Sequence, residues 1–208
     1  MVISFRLEGA LQSWGDHSKL NFRDTAAFPT KSGVIGLIAG AMGLKRDDPK
    51  IPEMCSALKM AVRADRRGTV MVDYQNVGRT VQSDGKVTDR TLQTWRNYLQ
   101  DASFLVVLEG EEILLDDIQA ALSHPVWVPY LGRKSCPASV PILATKHEGC
   151  IDTVLHDTET VAQRRDTVIY CEIDGESGIW KNDIILPRTR ANQPNYDRRR
   201  VQLAKLDI

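Results

Sequence analysis

The stretch Tyr130–Pro137, YLGRKSCP, places one glycine, two adjacent cations, a hydroxyl, a thiol and a closing proline in a row. Gly132 would let the chain pass close to a ligand, and the planar guanidinium of Arg133 suits a phosphate group or a base edge. Lys134 adds a point charge and Ser135 adds a hydroxyl donor. The pattern predicts an anion-binding turn, although a Gly-Arg-Lys turn is equally typical of a solvated loop.

Two further stretches combine aromatic side chains with polar or basic neighbours, which suits stacking on nucleic-acid bases. In the first, Gln12, Ser13, Trp14 and Gly15 follow the first apolar stretch, and the tryptophan could be a stacking platform or equally a core plug. The second lies in a polar, turn-rich excursion later in the chain. Its candidate residues are Tyr74, Gln75, Asn76, Arg79, Trp95 and Arg96.

Catalytic and metal-binding patterns are sparse. Acid–base cleavage of RNA needs a histidine with a lysine or tyrosine close to it. His17, with Lys19 and Lys31 not far along the chain, is a weak candidate, because a lone loop histidine is mostly just a polar residue. The phosphate-binding patterns G-x-x-x-x-G-K-S/T and G-x-G-x-x-G are missing. No second pair of ligands accompanies His147, Cys150 and His156 at metal-binding spacing. The sequence therefore predicts no cofactor and no metal site.

The elements that would position these residues begin with a strand and a glycine-rich helix. Residues 2–8 alternate between apolar and polar side chains, which predicts a strand with one wet face. After an aperiodic loop over 11–31, a helix with Ser32 as its N-cap runs to Gly43. Its glycines at 33, 36, 40 and 43 fall within roughly 80° of arc. Each interior glycine costs about 0.8–1 kcal/mol, so something must come very close to that face, either the sheet or a nucleic-acid backbone.

The remaining periodicities predict an α+β protein on the ferredoxin-like βαββαβ plan, with a long insertion in its middle. Further strands follow beyond residue 141, without a composition break that would prove a separate domain. The predicted elements are a short helix over 52–58, a strand at 60–64, an extended segment over 69–77, a projecting loop or hairpin over 78–91, a strand over 104–108, a helix over 113–122, an apolar strand over 126–128, and strands at 168–173 and 184–186.

Composition and charge limit the classes of function. The chain has 208 residues, is 42% apolar and 26% charged, and carries a formal net charge of zero. A nucleic-acid site must therefore depend on local basic clusters, such as residues 181–208 with seven basic and three acidic side chains. No apolar run reaches the about 20 residues that span a bilayer, and the charged N-terminus is unlike a signal peptide. Four cysteines without C-x-x-C spacing fit reduced thiols, so we expect a cytoplasmic protein without a membrane partner.

Five sequence blocks together resemble a known family. They are LQSWG, FPTKSGVIGLIAGAMGL followed by RDD, VDYQNV, LQTWRNYLQDASF and PYLGRKSCP. In this order they resemble the CRISPR-associated RAMP superfamily, and within it the subunits that bind the 5′ handle of the guide RNA in type I-E Cascade surveillance complexes. The resemblance covers residues 1 to about 145, and nothing familiar follows. Only Gly132 stands where this superfamily usually carries a longer glycine-rich loop.

The resemblance implies a ferredoxin-like, RRM-related domain over 1–145 that carries a thumb-like β insertion over about 66–100. Residues 146–208 would form a small C-terminal extension of strands and loops. Such proteins are non-catalytic subunits that bind and cap the repeat-derived 5′ handle of the crRNA in antiviral defence, while the thumb kinks the strand. The backbone subunit and the large subunit would dock on the same protein, and target DNA would be met only through the complex.

Carried over to this sequence, the resemblance assigns the handle to the octapeptide turn, to the loops around it and to the thumb. The turn would present its amides, Arg133 and Lys134 to bent RNA phosphates. The full set of expected RNA-binding residues is Gln12, Ser13, Trp14, Gly15, Arg23, Thr30, Lys31, Ser32, Arg66, Tyr74, Gln75, Arg79, Trp95, Arg96, Gly132, Arg133, Lys134, Ser135 and Cys136.

The sequence leaves three hypotheses for function. The first is an RNA-binding assembly subunit without chemistry, which fits the zero net charge because the RNA would be held within a larger complex. The second is a metal-independent CRISPR repeat endoribonuclease, with His17 and Lys19 as the suspected groups. The third is a protein scaffold whose basic loops bind acidic partners.

Overall fold

The computed structural model describes residues 1–15, 21–81, 84–89, 91–161, 169–187 and 195–206. The helices are α1 (Lys31–Ala41), α2 (Lys50–Ala57), α3 (Glu112–Ser123) and α4 (Ile151–Asp157). The strands are β1 (Val2–Glu8), β2 (Leu11–Gln12), β3 (Phe22–Arg23), β4 (Lys59–Arg66), β5 (Thr69–Val77), β6 (Thr80–Val81), β7 (Val87–Thr88), β8 (Leu92–Gln100), β9 (Ser103–Glu109), β10 (Thr145–His147), β11 (Ile169–Leu186) and β12 (Asn195–Leu206). The predicted α+β class is confirmed. Among the described residues, no helix combines the length and apolar character that crossing a bilayer requires.

The main sheet has the strand order β10-β1-β9-β4-β11-β12, and every neighbouring pair is antiparallel. β1 occupies the predicted range, and its Ile3, Phe5 and Leu7 are buried on one face, as alternation along a strand requires. These side chains share one apolar cluster with residues of α1, α2 and α3. The principal core therefore lies between the sheet and these three helices.

The second face of the sheet is covered, although β1 was predicted to have one solvent-exposed face. α4 places Ile151, Val154 and Leu155 in a smaller apolar cluster with residues of this face. Ser4 is buried there, and its hydroxyl oxygen lies 2.7 Å from Nε2 of His147. The prediction was wrong because the covering residues lie beyond 145, and the pattern of β1 carries no information about them.

The segment between β4 and β9 forms a projecting hairpin. β5 and β8 pair antiparallel from Thr69 opposite Gln100 to Val77 opposite Leu92. β2 and β3 join the other edge of β8 and complete a second, smaller sheet. At the base, Gly68 has a φ of +71°, and a Cβ added there would lie 2.6 Å from the carbonyl oxygen of Gln100. We call residues 69–100 the thumb hairpin.

The first turn of α1 is capped by Thr30 and not by the predicted Ser32. The Thr30 hydroxyl accepts a hydrogen bond from the backbone N–H of Gly33 at 3.3 Å, so the helix begins at Lys31. Asp183, on β11, accepts a second hydrogen bond from the backbone N–H of Lys31 at 2.8 Å. The sequence offered two hydroxyl residues two positions apart, and both types are good N-caps.

The glycine face of α1 is packed at its start and open in its middle. A Cβ added to Gly33 would lie 2.9 Å from a ring carbon of Trp14. At Gly36 and Gly40, an added Cβ would meet no described atom within 4 Å. Of the two alternatives, packing against the sheet therefore does not explain Gly36 and Gly40 among the described residues, and close approach of a nucleic-acid backbone stays a prediction.

Residues 126–128, predicted as the last strand of the core, form an exposed loop instead. Val126, Trp127 and Val128 are 65%, 51% and 83% exposed. The sheet edge beside β1 is occupied by β10, which pairs through Ile3 opposite Lys146. β11 joins the sheet at its other side through β4, so strands beyond residue 145 extend the main sheet at both edges. The domain division at 145/146 stays a prediction.

Candidate nucleic-acid interface

The turn at 130–137 packs closely against the loop that follows β2. Leu131 donates its backbone N–H to the carbonyl of Cys136 at 2.8 Å, and Ser13 donates to the carbonyl of Leu131 at 3.0 Å. Gly132 has a φ of +85°, a conformation that only glycine adopts without strain. A Cβ at Gly132 would overlap the Ser13 carbonyl group, lying 2.7 Å from its carbon. The glycine is therefore required for the contact between the turn and the loop.

The outer part of the turn is exposed to solvent. Gly132, Lys134 and Ser135 are exposed, whereas Cys136 is buried. Within the described part of the chain, the backbone N–H groups of Arg133, Lys134 and Ser135 donate to no partner. Successive N–H groups without protein partners can bind an anion, and the Lys134 ammonium adds a full positive charge beside them. This arrangement has the chemistry to hold a phosphate group.

Arg133 turns inward from the same turn. Its Nη2 donates to the carbonyl of Arg23 at 3.0 Å and approaches the carbonyl of Asp24 at 3.4 Å. Its guanidinium carbon lies 4.9 Å from the ring centroid of Tyr98, at the base of the thumb hairpin. Its Nη1 is buried and has no hydrogen-bond partner among the described residues. Arg133 is therefore engaged with the protein, unlike the adjacent Lys134.

Three predicted RNA-binding side chains lie in the core. Trp14 is 1% exposed, and its indole N–H donates to Oε1 of Gln12 at 3.0 Å. Gln12 donates from Nε2 to the carbonyls of Leu7 at 3.1 Å and Ala102 at 2.9 Å. Burial raises the pKa of the Cys136 thiol, which stays protonated. The stacking-platform interpretation of Trp14 was wrong, because the ring fills core space beneath α1 and its polar atom is paired.

Lys31 belongs to a buried ion-pair network with the C-terminal hairpin (β11 and β12). Its Nζ lies 3.1 Å from Oδ2 of Asp174, and its side chain is 5% exposed. Arg199 pairs with both Asp174 and Asp183, with 2.6 Å between its Nε and Oδ1 of Asp183. Burial acts to lower the pKa of Arg199, but the two carboxylates outweigh it and raise the pKa. Lys31 is thus neutralised inside the protein, which contradicts its predicted contact with RNA.

Three aromatic rings form a row across the thumb sheet, which we call the aromatic row (Phe22, Trp95 and Tyr74). Trp95 of β8 stands opposite Phe22 of β3 and Tyr74 of β5 in the strand registers. The Phe22 and Trp95 ring centroids are 5.8 Å apart with planes at 20°, and the Tyr74 and Trp95 centroids are 5.5 Å apart. Phe22 and Tyr74 are each 51% exposed. Rings exposed in this way can stack on unpaired bases.

Sequence reasoning identified Tyr74 and Trp95 but missed Phe22 and Tyr98. Phe22 lies on a two-residue strand, which is too short for an alternating pattern to reveal. The long-range pairing of β3 with β8 brings it beside Trp95. Tyr98 belongs to the LQTWRNYLQDASF block, but nothing in that block indicates that its ring lies beneath Arg133.

The other predicted side chains divide by exposure and by partner. Ser13 donates its hydroxyl to the carbonyl of Asn97 at 3.0 Å, and Nη2 of Arg66 lies 2.8 Å from a carboxylate oxygen of Glu8, so both serve the protein. Thr30 is the α1 cap. The exposed candidates are Gly15, Arg23 and Arg79, and the half-buried ones are Ser32, Gln75 and Arg96.

A cleft of about 1150 Å³ extends from the turn along the open glycine face of α1. Its walls include aromatic side chains from the 126–130 loop and from the C-terminal hairpin. The residues that line the cleft include Gly36, Gly40, Trp127, Tyr130, Lys134 and Tyr196. The open glycines, the exposed lysine and the aromatic walls therefore share one concave surface.

The histidine–lysine pair suspected of RNA cleavage, His17 and Lys19, lies outside the described residues. His147 is engaged with the Ser4 hydroxyl. In the parts of the chain that the structure describes, no group of three or more His, Cys, Asp or Glu side chains could hold a metal ion.

Comparisons with known proteins show what this chain is similar to. The chain is 37% identical over 150 residues to the CRISPR system Cascade subunit CasD of Escherichia coli (strain K12), a match that covers 66% of this chain and 67% of that protein. A chain from a solved CRISPR RNA-guided surveillance complex aligns with a TM-score of 0.80 at 29% identity, covering 99% of this chain and 90% of that one. The crystal structure of a Cas protein aligns with a TM-score of 0.70 at 30% identity, covering 99% and 95% of the two chains.

The family assignment covers almost the whole chain. The family model described as CRISPR-associated protein (Cas_Cas5) matches residues 2–204, which includes the turn, the thumb hairpin and the C-terminal hairpin. The match therefore extends past residue 145, where the sequence alone showed nothing familiar. This chain belongs to the CRISPR-associated protein (Cas_Cas5) family.

Proposed function

We propose that the protein is a non-catalytic, RNA-binding subunit of a CRISPR RNA-guided surveillance complex of the Cascade type, and that it holds the 5′ handle of the crRNA. The observation that carries the proposal is the turn, where three backbone N–H groups without a partner among the described residues stand beside the exposed Lys134. The names of its relatives, a Cascade subunit and a chain of an RNA-guided surveillance complex, support the same function.

The domain that presents this turn is ferredoxin-like in our interpretation. Taken in chain order, β1, β4, β9 and β10 alternate with α1 and α3 as βαββαβ once the thumb hairpin is set aside. Their order in the sheet is β10-β1-β9-β4, with antiparallel neighbours throughout. On this plan the thumb hairpin is an insertion between the second and third core strands.

The handle is held by two kinds of contact. The turn binds a phosphate through backbone N–H groups and Lys134, which fix the position of the strand without reading its sequence. The aromatic row offers stacking surfaces for unpaired bases, each stack being worth about 1–3 kcal/mol. The cleft beside α1 leaves room for the bent RNA strand between the turn and Tyr196. Arg23 and Arg79, both exposed, add positive charge on the thumb side.

The complex supplies the other partners. With a net charge of zero, the chain has little bulk attraction for RNA, so neighbouring backbone and large subunits complete the site. Target DNA meets this subunit through the assembled complex. We assign residues 146–208 to a C-terminal extension, because this segment supplies α4 and the C-terminal hairpin. The four scattered cysteines of the whole chain suit a cytoplasmic complex.

Binding of labelled handle RNA over a range of salt concentrations tests the proposal. Lys134→Ala should weaken binding and lower the slope of log affinity against log salt by about 0.7, the value for one lost contact with a single strand. Lys59→Ala is the matched control, since Lys59 is exposed and pairs in register with Glu109, at the end of β9 farthest from the turn. Equal slopes for the two variants would contradict the proposal.

The absence of catalysis is tested separately with repeat RNA in EDTA. We expect no specific cut by the purified chain. A specific cleavage product that disappears in His17→Ala would contradict this proposal and would favour the metal-independent endoribonuclease.

A further inference from the structure

Arg133 and Lys134 are neighbours in the turn but have different surroundings. Lys134 is exposed, whereas Arg133 donates to the carbonyls of Arg23 and Asp24 and stacks on Tyr98. Nη1 of Arg133 is buried without a partner among the described residues, so a phosphate could reach that nitrogen only by displacing neighbouring atoms. Nη2 donates to two protein carbonyls and Nη1 is buried, so two of the three guanidinium nitrogens are directed at the protein.

The groups that Arg133 contacts belong to the thumb side of the protein. Tyr98 lies on β8. On the same strand, the backbone N–H of Trp95 donates to the backbone carbonyl of Asn21 at 2.8 Å. Asp24 accepts a hydrogen bond from Nδ2 of Asn97, also on β8, at 3.2 Å. The segment before α1 is thus fastened to β8 at two points. Arg133 joins the turn to this assembly with one cation–π contact and hydrogen bonds to two consecutive carbonyl groups.

We propose that Arg133 is a positioning residue: it fixes the turn relative to the thumb hairpin, so that the phosphate site at Lys134 and the aromatic row hold one RNA strand at the same time. This inference rests on the proposed function. Two sites on one ligand reinforce each other only when their spacing matches the ligand, because the second contact then forms at high effective concentration. Loss of Arg133 would leave both sites chemically intact and loosen their spacing.

The test compares a handle-length RNA with a trinucleotide too short to reach both sites, using the full-length chain. Arg133→Ala should weaken binding of the long RNA about tenfold, the factor for ~1.4 kcal/mol, while the trinucleotide binds as to wild type. The salt slope should stay unchanged, because no phosphate contact is lost. Arg133→Lys should not restore affinity, because lysine lacks the planar guanidinium that stacks on Tyr98 and donates hydrogen bonds to two carbonyl groups.

Tyr98 supplies an independent variant on the other side of the contact. Tyr98→Leu should reproduce the loss seen with Arg133→Ala, and the double variant should be no worse than either single variant, as expected for residues acting through one interaction. Tyr98→Phe keeps the ring and should bind the long RNA as wild type. Thermal unfolding of each variant, measured beside binding, shows whether the protein is folded at the assay temperature.

Two results would overturn the inference without touching the proposed function. One is a salt slope lowered by about 0.7 in Arg133→Ala with affinity restored in Arg133→Lys, which would make Arg133 a direct phosphate contact. The other is equal loss of the long RNA and the trinucleotide, which would show damage to a single site. If Lys134→Ala leaves the binding of both RNAs unchanged, the proposed function itself fails.

Discussion

Replacing Gly132 by alanine tests whether the turn must approach the β2 loop as closely as the structure shows. An alanine would have to keep a φ of +85°, which costs a non-glycine residue about 1–2 kcal/mol. Its Cβ would also lie 2.7 Å from the carbonyl carbon of Ser13. Relief of that overlap moves the turn away and gives up the hydrogen bond from Ser13 to Leu131, worth about 0.5–1.5 kcal/mol. We expect Gly132→Ala to lower the free energy of unfolding by about 1.5–3.5 kcal/mol.

Gly36→Ala is the matched control, because it adds the same methyl group where nothing lies within 4 Å. Gly36 is exposed in the middle of α1, so alanine there should raise the free energy of unfolding by about 0.8–1 kcal/mol. Urea denaturation followed by circular dichroism measures both variants, and handle RNA binding is measured in parallel. If Gly132→Ala unfolds at the wild-type urea concentration and binds RNA normally, the close approach is not required and the description of the turn is wrong.

Three further predictions concern other parts of the molecule. Asp183→Ala should lower the free energy of unfolding by about 3–5 kcal/mol in urea denaturation, because it leaves Arg199 buried with one fewer partner, while the exposed control Asp197→Ala should change it by less than about 0.5 kcal/mol. The Thr153 hydroxyl lowers the pKa of Cys150, so iodoacetamide should label this thiol in the native protein, with a rate that rises with pH through a midpoint below that of a free cysteine. The buried thiols of Cys55, Cys136 and Cys171 should react only after unfolding, because burial raises their pKa values. Labelling of any of these three thiols in the native protein would contradict their burial in the core. Trp95→Ala should weaken RNA binding by about 1–3 kcal/mol without changing the salt slope, and a changed slope would exclude stacking as its role.

Local patterns predicted the parts of the fold whose information is local. The alternation over 2–8 gave β1, and apolar spacing gave α1 and α3 close to their observed ranges. The strand predicted at 126–128 failed because an apolar run has no way to indicate that β10 fills the sheet edge beside β1. The wet face predicted for β1 failed for the same reason, since α4 comes from a distant part of the chain.

The site shows the same division between local and distant information. Gly132, Lys134 and Ser135 were predicted from their residue types, and their exposure is compatible with the proposed anion site. Lys31 looked equally suitable, but its charge is neutralised by Asp174, which no local pattern connects to it. Trp14 could not be assigned to surface or core from sequence, because both roles suit a tryptophan beside a glycine. Tertiary contacts decided each case.

Whether the handle contacts the turn is measured most directly by the acetylation rate of Lys134 in the free chain and in the chain bound to handle RNA. Lys59, exposed at the far end of the sheet, is the internal reference in the same sample. We expect bound RNA to slow acetylation of Lys134 severalfold and to leave the rate at Lys59 unchanged. Equal rates at Lys134 with and without bound RNA would show that the handle lies elsewhere on the protein.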